Sequence, residues 1–216
     1  SFKEMGDSIF LMDVGKETYL SICNMVAHGA SIQPLVSSKV LHHDARSIPK
    51  EYTGKYDTVI TSPPYPNRIS YIRELRPYMY WTDFLETANQ AGTWGKATSM
   101  LSTWKSNRTL PRYVYDIAKQ IAAADNKSAK LMANYVLKYF EDMQLHLSAV
   151  YDGLKSKGKV FYIIGNSNFY GITVPAERIY ADLMKDIGFI NTDFKIVRKR
   201  NCNKQLYEFI VTAQKA

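Results

Sequence analysis

A chain of 216 residues, 46% of them hydrophobic, can bury one core of ordinary size, so we read residues 1–216 as a single domain. Its 28 Lys and Arg against 20 Asp and Glu leave a net charge of +8, which favours a polyanionic partner, nucleic acid first, although such a surplus can also serve solubility alone. Cys23 and Cys202 show neither paired spacing nor a metal-ligand pattern, and no apolar run approaches the roughly 18 residues of a membrane span, so disulfide scaffolds, zinc sites and membrane proteins are excluded and a reducing, cytoplasmic setting is expected.

In chain order, the apolar run Ile9-Phe10-Leu11-Met12 fits either a strand or a helical turn, because it is too short to separate the two. Residues 19–27 predict a helix, with Tyr19, Ile22, Cys23 and Val26 at helical spacing and Gly29 as the stop. Residues 39–46 read as a short strand ending in Asp44, ahead of the turn at Pro49. An acidic residue at such an end can accept hydrogen bonds from an adenine or ribose. It can equally cap the segment that follows. His42 and His43 have no companions at metal-ligand spacing, so no metal is expected.

The next apolar run, Asp57-Thr-Val-Ile-Thr-Ser-Pro-Pro-Tyr65, organises the chain. Val59 and Ile60 continue a buried-strand pattern. Two prolines then cannot donate to a sheet and restrict φ, so the backbone must leave in a stiff turn. Open α/β sheets bind their ligands at such strand ends. Ser62 offers a hydroxyl, the proline carbonyls are fixed acceptors and Tyr65 offers a ring with a polar tip, a set suited to a flat amino-bearing ring. A Pro-Pro turn after a strand is also an ordinary structural stop.

Beyond it, Arg68, Arg73 and Arg76 alternate with Tyr71, Tyr78, Tyr80 and Trp81, as on a surface that grips phosphates and stacks bases. A helix with core-facing aromatics and solvated arginines gives the same pattern. Residues 89–127 read as a loop-rich, DNA-facing insertion around Lys96, Lys105, Arg108 and Arg112, with Trp94 and Trp104 among them. Residues 128–154 predict a long core helix, with Leu131, Tyr135, Phe140, Met143, Leu147, Val150 and Leu154 in helical register. A buried strand follows at residues 160–165, with small polar residues Asn166, Ser167 and Asn168 at its end. A helix at residues 174–187 stops at Gly188, and residues 193–200 and 206–214 predict an antiparallel pair.

Ser62-Pro63-Pro64-Tyr65 after a hydrophobic strand resembles the catalytic motif of the S-adenosylmethionine-dependent amino-methyltransferases, which methylate exocyclic amino groups of DNA bases. The order of elements from the long helix at 128–154 onward is similar to the second half of that family, and the resemblance spans 39–215, sharp at 62–65 and loose elsewhere. The resemblance implies an α/β, Rossmann-like sheet, mostly parallel with a late antiparallel pair. It implies S-adenosylmethionine as cofactor, double-stranded DNA as partner and a place in a restriction-modification system. Ser62, Pro63, Pro64 and Tyr65 would be catalytic, Asp44 and Ser62 would meet the cofactor, and Arg68, Arg73, Lys96, Lys105, Arg108 and Arg112 would meet DNA. The Ser form of the motif is commoner among enzymes making N4-methylcytosine, which we expect over N6-methyladenine. An RNA amino-methyltransferase and a non-catalytic half of a split enzyme are the alternatives. The Gly-rich cofactor loop of the family is missing here: none of the eleven glycines forms such a pair. An upstream segment or a second polypeptide is expected to supply it.

Overall fold

The computed structural model describes residues 5–32, 37–67, 75, 77–80, 104–201 and 205–216, and of residues 5–14 and 201 the backbone only. Arg68, Arg73, Arg76 and Lys96 lie outside the described residues. The described residues fall into two compact units, 1–42 and 43–216.

Among the described residues of the first unit there is one helix, α1 (Met5–Ser31). It is three times as long as the segment predicted from residues 19–27, and it resolves the ambiguous run at residues 9–12 as helical. Gly15 and Gly29 do not stop it, since a helical glycine costs only about 1 kcal/mol.

In the second unit, β1 (Tyr56–Thr61), β2 (Leu154–Gly165), β5 (Phe189–Asn201) and β6 (Leu206–Lys215) form one mixed sheet in the order β1-β2-β6-β5. β3 (Ser167–Phe169) and β4 (Ile172–Val174) form a separate hairpin. Only β1 and β2 run parallel, with Val59 opposite Val160 and Thr61 opposite Tyr162. β6 is antiparallel to β2, and β5 to β6. The sheet of the described residues is therefore mixed, not mostly parallel. Its β1–β2 pair needs a crossover, whereas β5 ends at Asn201 and β6 begins at Leu206, only five positions later.

Two helices cover one face, α3 (Ala129–Gly153) and α4 (Ala176–Ile187), and α2 (Arg112–Ala122) packs on α3 and β4. Val160, Tyr162 and Ile164 of β2 and Phe209, Val211 and Ala213 of β6 alternate inward, as period-two patterning requires. They meet Val136, Phe140 and Leu147 of α3 and Ile179, Tyr180, Leu183 and Met184 of α4. α4 ends where predicted: Gly188 takes φ 114° and its N–H closes on the carbonyls of Met184 and Lys185.

α2 falls within the stretch 89–127 read as a loop-rich insertion, of which residues 104–127 are described. Residues 112–122 form a helix whose Val114, Ala118 and Ile121 are buried. The spacing of four and three between those residues carried a helical period that the many polar neighbours obscured.

Candidate active site

The 62–65 turn sits where the sequence put it, directly after β1 and beside the carboxyl end of β2. Ser62 and Pro64 are exposed, Pro63 and Tyr65 half-buried, and Pro66 is buried. Two long-range contacts hold the turn. The Tyr139 hydroxyl, on α3, donates to the Pro64 carbonyl at 2.7 Å. The Tyr65 hydroxyl donates to Glu208 Oε1, on β6, at 2.7 Å.

Each contact is backed by another. Tyr139 and Tyr180 hydroxyls lie 2.9 Å apart. A hydroxyl has one proton, and Tyr139 gives its own to Pro64, so Tyr180 is the donor within the pair. Glu208 Oε2 accepts from Arg198 Nε at 2.6 Å. Arg198, first, and then Tyr65 lower the Glu208 carboxyl below its ordinary range, so it is an ionised, acceptor-only group at neutral pH. Burial, then Glu208, raise the Tyr65 phenol, while hydrogen bonding from Ser62 opposes that rise.

Arg200 lies over the Tyr65 ring at 5.1 Å. Its guanidinium donates to the carbonyls of Tyr207, at 3.2 Å, and of Asn166. It also fills the space above Gly165, where a Cβ would come within 2.7 Å of Arg200 Cζ. The buried Asn166 side chain joins β2 to the far hairpin end, accepting from Tyr207 N at 2.8 Å and donating to the Gln205 carbonyl at 3.1 Å. Asn166 was read in advance as a polar strand end. Tyr139, Tyr180, Arg198, Arg200 and Glu208 were not, since no local signal marks a partner 75 or 143 residues away.

Asp44 is not at a strand end. Residues 37–44 form no regular structure, and Asp44 opens a turn in which Ser47 N bonds to its carbonyl. Its carboxylate takes Arg46 N, Nε and Nη2 at 2.9, 3.0 and 2.7 Å. The Arg46 hydrogen bonds hold its pKa well below the usual carboxylate range. The expected strand fails because Asp competes locally for its own backbone.

Lys105, Arg108 and Arg112 are exposed, and no recorded contact among the described residues joins them to the turn. Their segment is strapped to α3: the Ser106 hydroxyl and Arg108 N both donate to the buried Glu141, and Gln144 Nε2 donates to the Thr109 carbonyl at 3.2 Å.

A scan of family models and a search of curated proteins find no match. Among solved structures, a Thermus thermophilus protein described as a "Putative DNA Modification Methylase" aligns at 13% identity and TM-score 0.39, over 80% of this chain and 52% of its own. Its selenomethionine derivative aligns at 12% and 0.31, over 55% and 50%. The chain thus spans about half the length of either. Likeness at that level carries no weight for function, which must be argued from the residues at the turn.

The described residues do not fit S-adenosylmethionine as a complete set. The carboxylate expected to meet its adenine is spent on Arg46, and neither parallel strand is followed by a paired-glycine loop. What they do bring together is the Ser62 hydroxyl at the surface, the half-buried Pro63 and Tyr65, and a Pro64 carbonyl held by Tyr139.

Proposed function

We propose that this chain carries the base-binding side of a DNA amino-methyltransferase, with N4 of cytosine as the methylated atom. The observation that carries the reading is the Ser-Pro-Pro-Tyr turn at the end of a parallel strand, with Ser62 exposed and the turn tied at Pro64 and Tyr65. An exocyclic amino nitrogen is a weak nucleophile because its lone pair is delocalised into the ring. The Ser62 hydroxyl and the Pro63 carbonyl would accept its two hydrogens, drawing density onto nitrogen and fixing its lone pair out of the ring plane. Tyr65 would stack on the base once it leaves the duplex. Orientation then supplies much of the acceleration. The methyl donor would be S-adenosylmethionine, bound by residues beyond those described or by a second polypeptide. The net positive charge suits a DNA partner, and Lys105, Arg108 and Arg112 are exposed for phosphate contact.

N6 of adenine stays as a second reading. Ser62 is exposed at the end of β1, and cytosine and adenine both present it an amino group beside an unprotonated ring nitrogen, so the preference for cytosine rests on the family tendency of the Ser motif. Digesting methylated DNA to nucleosides and weighing the product decides between them.

Replacing Ser62 by Ala should slow methyl transfer by about 2 kcal/mol, roughly 30-fold, with DNA affinity unchanged. Radiolabelled methyl incorporation into duplex DNA by the complete enzyme measures this. Unaltered turnover would remove Ser62 from the mechanism.

A further inference from the structure

Two prolines in sequence leave the 62–65 turn few free torsions: φ of Pro63 and Pro64 is set by the rings, and only the ψ angles remain. A carbonyl held from outside therefore fixes most of what is left. The Pro64 carbonyl is held by Tyr139 on α3, whose own hydroxyl is aimed by the fully buried Tyr180. The ring at the end of the turn is held by Glu208 on β6, whose other oxygen is engaged by Arg198. Both tethers reach the turn from elements far along the chain, and both end on atoms that the amino-binding chemistry leaves unused: the second proline carbonyl and the phenol oxygen.

We propose that Tyr139 and Glu208 are positioning residues of this site, a two-point clamp that presents the Ser62 hydroxyl, the Pro63 carbonyl and the Tyr65 ring to a base in one arrangement. The inference rests on the amino-methyltransferase reading.

The test compares Tyr139→Phe, Tyr65→Phe, Glu208→Ala, Glu208→Gln and the double variant Tyr65→Phe with Glu208→Ala in the complete enzyme. Methyl incorporation into unmethylated genomic DNA is measured as kcat and KM for DNA. We expect kcat to fall about 10-fold in Tyr139→Phe, Tyr65→Phe and Glu208→Ala, with KM little changed, as for an interaction that matters in the transition state. Glu208→Gln keeps an acceptor for the phenol and stays within about threefold of the parent. The double variant is no worse than the worse single one, because both remove the same contact. Additive losses, or Glu208→Gln falling as far as Glu208→Ala, would overturn the clamp in favour of a general structural or charge role. So would an active parent with unchanged single variants. An inactive parent strikes the methyl-transfer reading itself, a different result. If Glu208→Ala fails to fold, Glu208→Gln against Tyr65→Phe carries the comparison alone.

Discussion

Two short stretches of this chain carry residues read in advance as ligand contacts, the turn at residues 62–65 and the one at residues 44–47, and they keep their shape in opposite ways. The first is stiff by covalent geometry and is held from outside: α3 takes its second carbonyl and β6 takes its phenol. Its Ser62 hydroxyl stays at the surface. The second holds itself. Asp44 closes on Arg46 and Ser47 within three residues, and its carboxylate takes four bonds from three donor atoms of Arg46 alone. A polar group satisfied by its own neighbours has little left for a ligand, whereas a turn satisfied through spare atoms keeps its chemistry available. The difference also explains what each stretch does for the fold. Arg46 reaches Asp142 on α3 at 3.1 Å, and the Ala45 carbonyl meets His146 Nδ1 at 2.7 Å. Residues 44–47 therefore form a strap over α3.

The strap is where the largest loss of stability is expected. His146 Nδ1 faces a carbonyl and must carry a proton, so Nε2 is the acceptor for the Tyr162 hydroxyl at 2.9 Å, and the neutral ring satisfies both. His146→Ala removes both bonds and should cost about 2 kcal/mol by thermal or urea denaturation. Burial lowers the His146 pKa. A lowered folded value means the unfolded chain binds the extra proton first. This contribution is complete above the ordinary histidine pKa of 6.5, and it is lost as pH falls below 6.5 toward the folded value. The parent should therefore lose stability relative to His146→Ala on acidification through that window. A parallel decline of the two would show that the imidazole is not held neutral.

A smaller effect is expected on the side of the 62–65 turn. Tyr180→Phe keeps the buried ring, which meets Phe140 and Tyr162 at 6.4 and 5.8 Å, and removes only the proton given to Tyr139. About 1 kcal/mol of stability should go, with a milder fall in turnover than Tyr139→Phe, because the Pro64 carbonyl keeps its donor. Equal losses in the two variants would mean that the hydroxyl pair works as one unit.

The contrast between the stretches also marks how far sequence could be read. Elements with a sustained period and a chemical stop were legible: α3, the inward alternation of β2, α4 ending at a left-handed Gly188, and the β5–β6 pair. The 62–65 turn was legible because proline acts through covalent geometry and needs no partner. Where a residue's conformation depends on competition, sequence was weaker. Asp44 chose a local turn over a strand, and Tyr170 and Gly171 take φ 54° and 88° to close a hairpin between β3 and β4 that was read only as a polar strand end. Partners such as Glu208 left no local trace, since only the folded sheet order brings β6 beside β2.

The smallest expected effect is the sharpest test of the contrast. Asp44→Asn removes the charge paired with Arg46 but keeps a side-chain oxygen for Arg46 N, the bond that shapes the turn. Arg46 retains Asp142. The pair is about half exposed, at 47% and 50% of side-chain area, and pairs so open to water contribute little. The depressed Asp44 pKa means that whatever it contributes is present above the ordinary carboxylate value of 3.8 and fades as pH falls below it. At neutral pH the melting temperature of Asp44→Asn should match that of the parent. Methyl-donor binding by calorimetry should match as well if Asp44 is a strap residue, because a carboxylate already committed to Arg46 has nothing to withdraw from a ligand. A weakened donor affinity with unchanged melting would instead show that the Asp44–Arg46 pair opens on binding, and would return Asp44 to the site from which its hydrogen bonds now exclude it.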